Sequence, residues 1–232
     1  MPMPSAYETR SEAFFRLYEG ETPQEIQTLL TRWIPKGSRV LELGCGSGRD
    51  ARFMSGLDAI VEATDGSGPL LKLAEARAQA LLGAESPSFS LLCLPPDKAS
   101  EDALFARLPR FDAVYTCGVL QHLSDHELYE AACFMERAVT DKGTLIVVVP
   151  LDHKGDPDRK TFLRDSLDYA TLFERMGFRL ASQEIRDGVG SPGHECRWAS
   201  CVFLRDSQSE LSNRRFRHIL EKDAKTSTYK LA

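Results

Sequence analysis

Three glycines at alternate positions, Gly44, Gly46 and Gly48, follow the apolar run Arg39–Leu43, and Asp65 stands 21 residues beyond the first of them. Glycine lets the backbone turn sharply and lets a ligand approach without meeting a Cβ. A helix opening just after such a turn offers unpaired N–H groups to a polar ligand end. An acidic side chain about 20 residues further on is placed to hydrogen-bond a ribose diol. These features alone also fit a dinucleotide site, so the spacing has to decide. Dinucleotide sites use G-x-G-x-x-G. Here the pattern is G-x-G-x-G, with Arg49 and Asp50 in the next two places. Glu42 stands two residues before the first glycine. A carboxylate there repels a pyrophosphate and suits an ammonium group. The motif is therefore fitted to a cationic, phosphate-free ligand that carries a ribose.

Other residues with chemical potential follow later apolar runs. His122 comes after Phe111–Cys117 and is a candidate general base. The alternative is a structural histidine bonded to the backbone. His153 follows the run Gly143–Val149 and faces the expected substrate side. Arg197 and Trp198 border either an acceptor pocket or the core. Six cysteines (Cys45, Cys93, Cys117, Cys133, Cys196 and Cys201) form no CxxC pair. They read as reduced, buried thiols in a cytoplasmic protein, with no metal site.

These residues need a scaffold that places strand ends side by side. Strand and helix patterns alternate: strands at Arg39–Leu43, Ala59–Thr64, Phe89–Leu94, Phe111–Cys117 and Gly143–Val149, with helices at Arg49–Ser55, Pro69–Leu82 and up to about Ala138. The last of these strands is almost wholly apolar, as when helices cover both faces. After a polar loop over Asp152–Asp165, Ser166–Met176 reads as a helix closed by Gly177. Arg179–Arg186 and Arg197–Leu204 read as a hairpin around Gly188, Gly190, Pro192 and Gly193. Residues 7–33 look helical, with a second helix from Pro23 capped by Thr22. The expected fold is α/β: a doubly wound, mostly parallel seven-stranded sheet with an antiparallel terminal hairpin, an N-terminal helical extension and a C-terminal helical tail. The division is a cap over 1–35, a ligand-binding domain over 36–204 and a basic tail over 205–232. Ligands of such sheets bind beyond the carboxyl ends of the strands.

Taken together, Val40–Asp50, Val61–Ser67, Phe111–Leu123, Asp141–Pro150 and Asp168–Phe178 resemble the motifs of class I, Rossmann-like S-adenosylmethionine-dependent methyltransferases. In detail the chain is similar to small bacterial methyltransferases of the tellurite-resistance and ubiquinone-biosynthesis type, which share a Gly-Arg-Asp after the glycine loop. The resemblance implies S-adenosyl-L-methionine as cofactor and S-adenosyl-L-homocysteine as product. It also implies site roles. Gly44, Cys45 and Gly46 would line the methionine moiety, with Gly48 and Asp50 beside them. Glu42 would face the ammonium. Asp65 would bind the ribose hydroxyls, with Gly66 beside the adenine. Cys117 and Gly118 would pass under the sulfonium. Tyr7 and Arg10 would close over the cofactor. Relatives carry an acidic residue just after strand three, where this chain reads Cys93-Leu94-Pro95-Pro96-Asp97. Either Asp97 or backbone at Leu94 would meet the adenine.

Composition bounds the rest. The chain has 232 residues, 42% of them hydrophobic and 27% charged, as in an ordinary globular protein. Net charge is −5, with the stretch from Arg205 onward at +3 and the body at −8. An acidic body argues against extended contact with nucleic acid phosphate, and leaves a local basic groove open. Neither a membrane span nor a secretory signal is expected. The motifs of amino-directed and cytosine-C5 DNA methyltransferases are missing: Thr116-Cys117-Gly118-Val119 stands where the first would lie, and no cysteine follows a proline. A small-molecule methyl acceptor is therefore expected. The competing readings are a non-catalytic cofactor-binding scaffold and a methyltransferase that reaches nucleic acid or protein through the basic tail.

Overall fold

Strand β1 (Arg39–Leu43) shows how the sheet is buried on both sides. Successive side chains of a strand point to opposite faces. Leu41 and Leu43 enter one core and Val40 the other. β4 (Phe111–Cys117) and β5 (Val139–Pro150) repeat this, with Val114, Leu145 and Val147 on the first side and Ala113, Tyr115, Ile146 and Val148 on the second. β2 (Ile60–Asp65) and β3 (Ser88–Leu91) complete one edge, and β6 (Phe178–Val189) and β7 (Glu195–Arg205) the other. The order is β3-β2-β1-β4-β5-β7-β6. Pairing is parallel except at β7, which runs antiparallel to both β5 and β6. This is the expected seven-stranded sheet with its terminal hairpin. The computed structural model describes residues 6–20, 24–108, 110–152, 159–189 and 195–205.

Helices cover each face and start at identifiable caps. α3 (Gln24–Trp33), α4 (Arg49–Ser55) and α5 (Gly68–Leu82) bring Leu30, Met54 and Leu71 to one face. α6 (Lys98–Arg107), α7 (Asp125–Ala138) and α8 (Ser166–Arg175) bring Leu104, Phe134 and Phe173 to the other. Ser124 and Glu127 form a capping box at α7, and Asp165 and Asp168 another at α8. Each box satisfies backbone donors that the first helical turn leaves unpaired. Ser67 caps α5, where Pro69 fits because the first turn needs no donor there.

The structure departs from the sequence reading at three elements. α6 is unanticipated: its apolar residues form no stripe, and its inner face is Leu104 beside Glu101. β3 ends at Leu91, short of the expected Leu94. Leu92 still donates its N–H to the Asp65 carbonyl (3.0 Å), but Pro95 and Pro96 bring no N–H to continue a ladder. β5 begins at Val139 rather than Gly143, because a register shift between Phe111 and Ala113 lets Val139 pair first. The helical N-terminal stretch divides into α1 (Ala6–Thr9), α2 (Ser11–Glu19) and α3. The Thr22–Pro23 cap, His153, the turn over 190–193 and the tail beyond Arg205 lie outside the described residues.

Candidate active site

A cavity of about 430 Å³ opens at the carboxyl ends of β1, β2 and β4, beneath α1 and α2. This is where the strand order reverses between β1 and β4, the expected ligand position in such sheets. Gly44, Cys45 and Gly46 form one wall. Gly44 has φ +72°, and a Cβ on it would lie 2.3 Å from Val119 Cγ2. The position thus needs glycine for both its backbone and its neighbour. Asp65 braces this loop: Oδ2 accepts from the Gly46 N–H (2.9 Å) and Oδ1 from the Ser67 N–H (2.8 Å). Burial pushes the Asp65 carboxyl up from its ordinary value, against the pull of these backbone donors. Gly66, Cys93 and Leu94 continue the wall beyond it.

Beneath the glycine loop lies a buried acid with one unpaired oxygen. Glu42 is 3% exposed and lines the cavity, and its Oε2 has no hydrogen bond. Burial first, and the nearby Asp50 next, push its carboxyl well above the usual range. Asp50 is better satisfied. It accepts from Tyr115 OH (2.7 Å) and from Arg49 Nε (2.9 Å). Cys117 and Gly118 close the floor. Burial and then Asp50 push the Cys117 thiol up to about 12, and burial also raises Cys45 and Cys93. The cavity cysteines are therefore thiols rather than nucleophilic thiolates near neutral pH.

The opposite end carries basic and aromatic groups. His122 Nδ1 lies 2.8 Å from the Lys160 carbonyl oxygen, which can only accept, so Nδ1 holds the proton. In the neutral ring Nε2 then accepts, and it receives the Tyr7 O–H at 3.0 Å. Arg159 Nη1 donates to the same Tyr7 oxygen at 3.2 Å, and its guanidinium lies over the Tyr7 and Phe14 rings. Gln121 fixes its amide by donating Nε2–H to the Gly118 carbonyl (2.6 Å), which leaves Oε1 buried and without a partner. Trp198 and Pro150 complete this end.

The N-terminal helices are tied over the cavity. Glu19 binds Arg52 at 2.5 Å. Arg49 Nη1 donates to the Tyr18 carbonyl at 3.1 Å, and Ser67 Oγ to the Tyr7 carbonyl at 3.1 Å. Tyr18 packs against Gly46, and burial raises its phenol well above the ordinary tyrosine value.

The structure brings Tyr7, Glu42, Gly44, Cys45, Gly46, Asp50, Asp65, Gly66, Leu94, Cys117, Gly118 and His122 into one wall. Arg10 and Gly48 stand outside it. Arg10 is exposed, with its guanidinium 5.2 Å from the Phe14 ring centroid. Gly48 turns the chain into α4 at φ +71°, where a Cβ would press on Phe89 and Ala74. Asp97 is spent on capping α6, accepting from the Ser100 N–H at 2.7 Å, so the wall after β3 is built by Leu92, Cys93 and Leu94. Sequence reasoning missed Tyr18, Ser67, Gln121 and Arg159 as wall residues. Ser67 was within reach, two places after Asp65, and Gln121 stands beside His122. Arg159 sits in a polar loop with no periodicity to mark it. Arg197 is on the surface, paired with Asp152 at 2.6 Å.

The sheet order and the cavity position define the Rossmann-like methyltransferase fold. Residues 41–145 match the family described as methyltransferase domain. A curated relative, the ubiquinone biosynthesis O-methyltransferase of Thiobacillus denitrificans, is 32% identical over 114 residues, covering 47% of this chain and 46% of its own length. The match thus spans about half the length of that relative. Among solved structures, a TehB-like S-adenosylmethionine-dependent methyltransferase from Corynebacterium glutamicum is similar at TM-score 0.62 and 19% identity, covering 85% of this chain and 99% of its own. The magnesium protoporphyrin IX methyltransferase of Synechocystis with bound S-adenosylhomocysteine gives TM-score 0.65 and 17% identity over 86% and 96%. At such identities the solved structures speak for the fold. Among the described residues, no helix is long and apolar enough to cross a membrane, and no cluster of acidic, histidine and cysteine side chains could hold a metal.

Proposed function

We propose that the cavity binds S-adenosylmethionine and that the chain transfers its methyl group to a small acceptor held against Tyr7, Gln121, His122 and Trp198. The observation that carries this reading is Glu42. A buried carboxylate oxygen without a partner, on the cavity wall, calls for a cationic ligand group. An amino-acid ammonium answers it. Asp65 serves the ribose diol through the lone pairs that its two backbone bonds leave free. The glycine loop lets the methionine moiety lie against backbone, and Gly66, Cys93 and Leu94 flank the adenine. When bound, the cofactor supplies an electrophilic methyl group on sulfur. The chain's own part is to orient the acceptor in line with that carbon and to exclude water under α1 and α2. His122, with its lone pair on Nε2, is the candidate base for an acceptor that must lose a proton.

Residues 1–35 then act as the cap and 36–204 as the catalytic domain, with 205–232 a basic tail. The curated relative's name supports methyl transfer. That relative's own acceptor is not carried over, since the likeness covers under half of each chain. Six free thiols fit a reducing compartment such as the cytoplasm.

Equilibrium dialysis with S-adenosylmethionine tests the reading through Asp65. A hydrogen bond to a charged group contributes about 1.5–3 kcal/mol, so Asp65→Ala should weaken binding roughly 10- to 100-fold. Because Asp65 also braces Gly46 and Ser67, thermal unfolding of the variant is measured alongside. Wild-type affinity in a folded Asp65→Ala protein would remove Asp65 from the ribose role.

A further inference from the structure

The sheet ends in a long strand with an open side. β6 pairs with β7 along its length, and among the described residues no strand lies on its other side. An edge strand presents a row of N–H and C=O groups that another strand can pair with. β3, at the opposite edge, has four residues, whereas β6 has twelve. A register shift interrupts β6 between Leu180 and Ser182, and from Ser182 to Val189 the register is regular. Within that stretch Gln183, Glu184, Ile185 and Asp187 are exposed, and Ile185 is a large apolar side chain left 49% exposed.

Side chains alternate in face along the strand. Glu184 and Arg186 lie on the α3 side, where Glu184 stands 3.9 Å from Arg32 and both line a groove of about 280 Å³ against that helix. Gln183 lies on the α8 side and donates Nε2–H to Ser166 Oγ at 3.1 Å, and Ile185 and Asp187 share that side. Charges along an edge ordinarily keep sheets apart. Here their order does the reverse for a second copy of the same strand. Antiparallel pairing about a two-fold axis sets one residue opposite itself and the flanking residues opposite one another in reverse order. Centred on Glu184, Arg186 or Asp187, such pairing brings like charges together. Centred on Gln183, it sets Glu184 against Ser182 and Arg186 against Leu180. Centred on Ile185, it sets Ile185 against Ile185, Glu184 against Arg186 twice over, Gln183 against Asp187 and Ser182 against Gly188. That register alone joins apolar to apolar and acid to base, and it lies within the regular stretch.

We propose that the outer edge of β6 is a self-association surface, through which two copies of this chain pair antiparallel over residues 182–188, centred on Ile185. The two seven-stranded sheets then join edge to edge. Glu184 of each copy meets Arg186 of the other, whose guanidinium is held on that face by donating to Ser200 Oγ at 3.2 Å. So short a ladder is small beside the interface of a permanent dimer, so the association is reversible and depends on concentration. It does not depend on methyl transfer, yet it touches the cavity. Arg186 stands opposite Trp198, a wall residue, so the pairing braces the strand behind that wall.

Sedimentation velocity of the full chain over a concentration series reads the association. Wild type should pass from monomer to dimer and be mostly dimer by about 100 μM. Glu184→Arg sets arginine against arginine at both charge positions and should weaken the dimer roughly tenfold or more. Arg186→Glu should do the same with glutamate against glutamate, and it stands in if the first variant folds poorly. The double variant Glu184→Arg, Arg186→Glu restores opposite charges and should return to within about threefold of wild type. A wild type still monomeric at about 100 μM would overturn the proposal. So would a dimer that both single variants leave intact, the result expected if copies meet through residues 206–232 or another surface. A double variant as weak as the singles, in protein that unfolds cooperatively, would overturn the register centred on Ile185.

Discussion

At the scale of single residues, Glu42 sets stability against binding. Its carboxyl is buried, has one oxygen unpaired and sits near Asp50, so its folded-state value lies well above the ordinary 4.5. A carboxyl raised on folding makes the folded state bind its proton more tightly than the unfolded state does. Stability from this group is therefore full below the ordinary value and is lost as pH rises through the raised one. Glu42→Gln removes that loss. The ligand-free variant should melt above wild type at pH 8, and the gap should close as pH falls toward 4.5. The same variant should bind S-adenosylhomocysteine more weakly at pH 8, since the ammonium loses its carboxylate. A ligand-free variant melting below wild type at pH 8 would show that Glu42 is already compensated without ligand. That Glu42, the glycine loop and Asp65 share one cavity wall was legible in the sequence because their spacing encodes their geometry. The other end was not. Tyr7, Gln121, His122 and Arg159 come from three separate stretches of chain, and nothing local records that they meet.

At the scale of elements, strands buried on both faces were readable with nearly correct bounds: β1 and β4 have the limits their apolar runs predict. Elements held by a few specific contacts were not. α6 is anchored by Leu104, 3% exposed, and by Glu101, which accepts from Arg137 Nε (2.6 Å) and Nη2 (2.8 Å). An ion pair between distant helices leaves no periodic trace. Leu104→Ala should destabilise the fold by about 2–4 kcal/mol, the usual cost of emptying a buried leucine site. Denaturant unfolding measures it, and a change below about 1 kcal/mol would mean that α6 is marginal to the core. The early end of β3 likewise depends on residues beyond the strand: Pro95 and Pro96, and then the helix cap at Asp97, free Leu92–Leu94 to line the cavity.

At the scale of the molecule, the alternation of strands and helices announced the doubly wound sheet, and the terminal hairpin announced its antiparallel end. The seating of the cap was not announced. α1 and α2 lie over the cavity through Glu19–Arg52, Arg49 to the Tyr18 carbonyl and Ser67 to the Tyr7 carbonyl, all contacts between segments far apart in sequence. Their consequence is a single chamber whose wall holds Glu42 and Asp65 beside the glycine loop. The unpaired Glu42 oxygen fits a cationic, phosphate-free ligand and works against a pyrophosphate. Calorimetric titration of the full chain with S-adenosylhomocysteine, and separately with NAD, tests this most directly. Heat and one-to-one saturation are expected with the first ligand, and no heat with the second. No heat with S-adenosylhomocysteine from protein that unfolds cooperatively, or saturable binding of NAD in the same cavity, would contradict it.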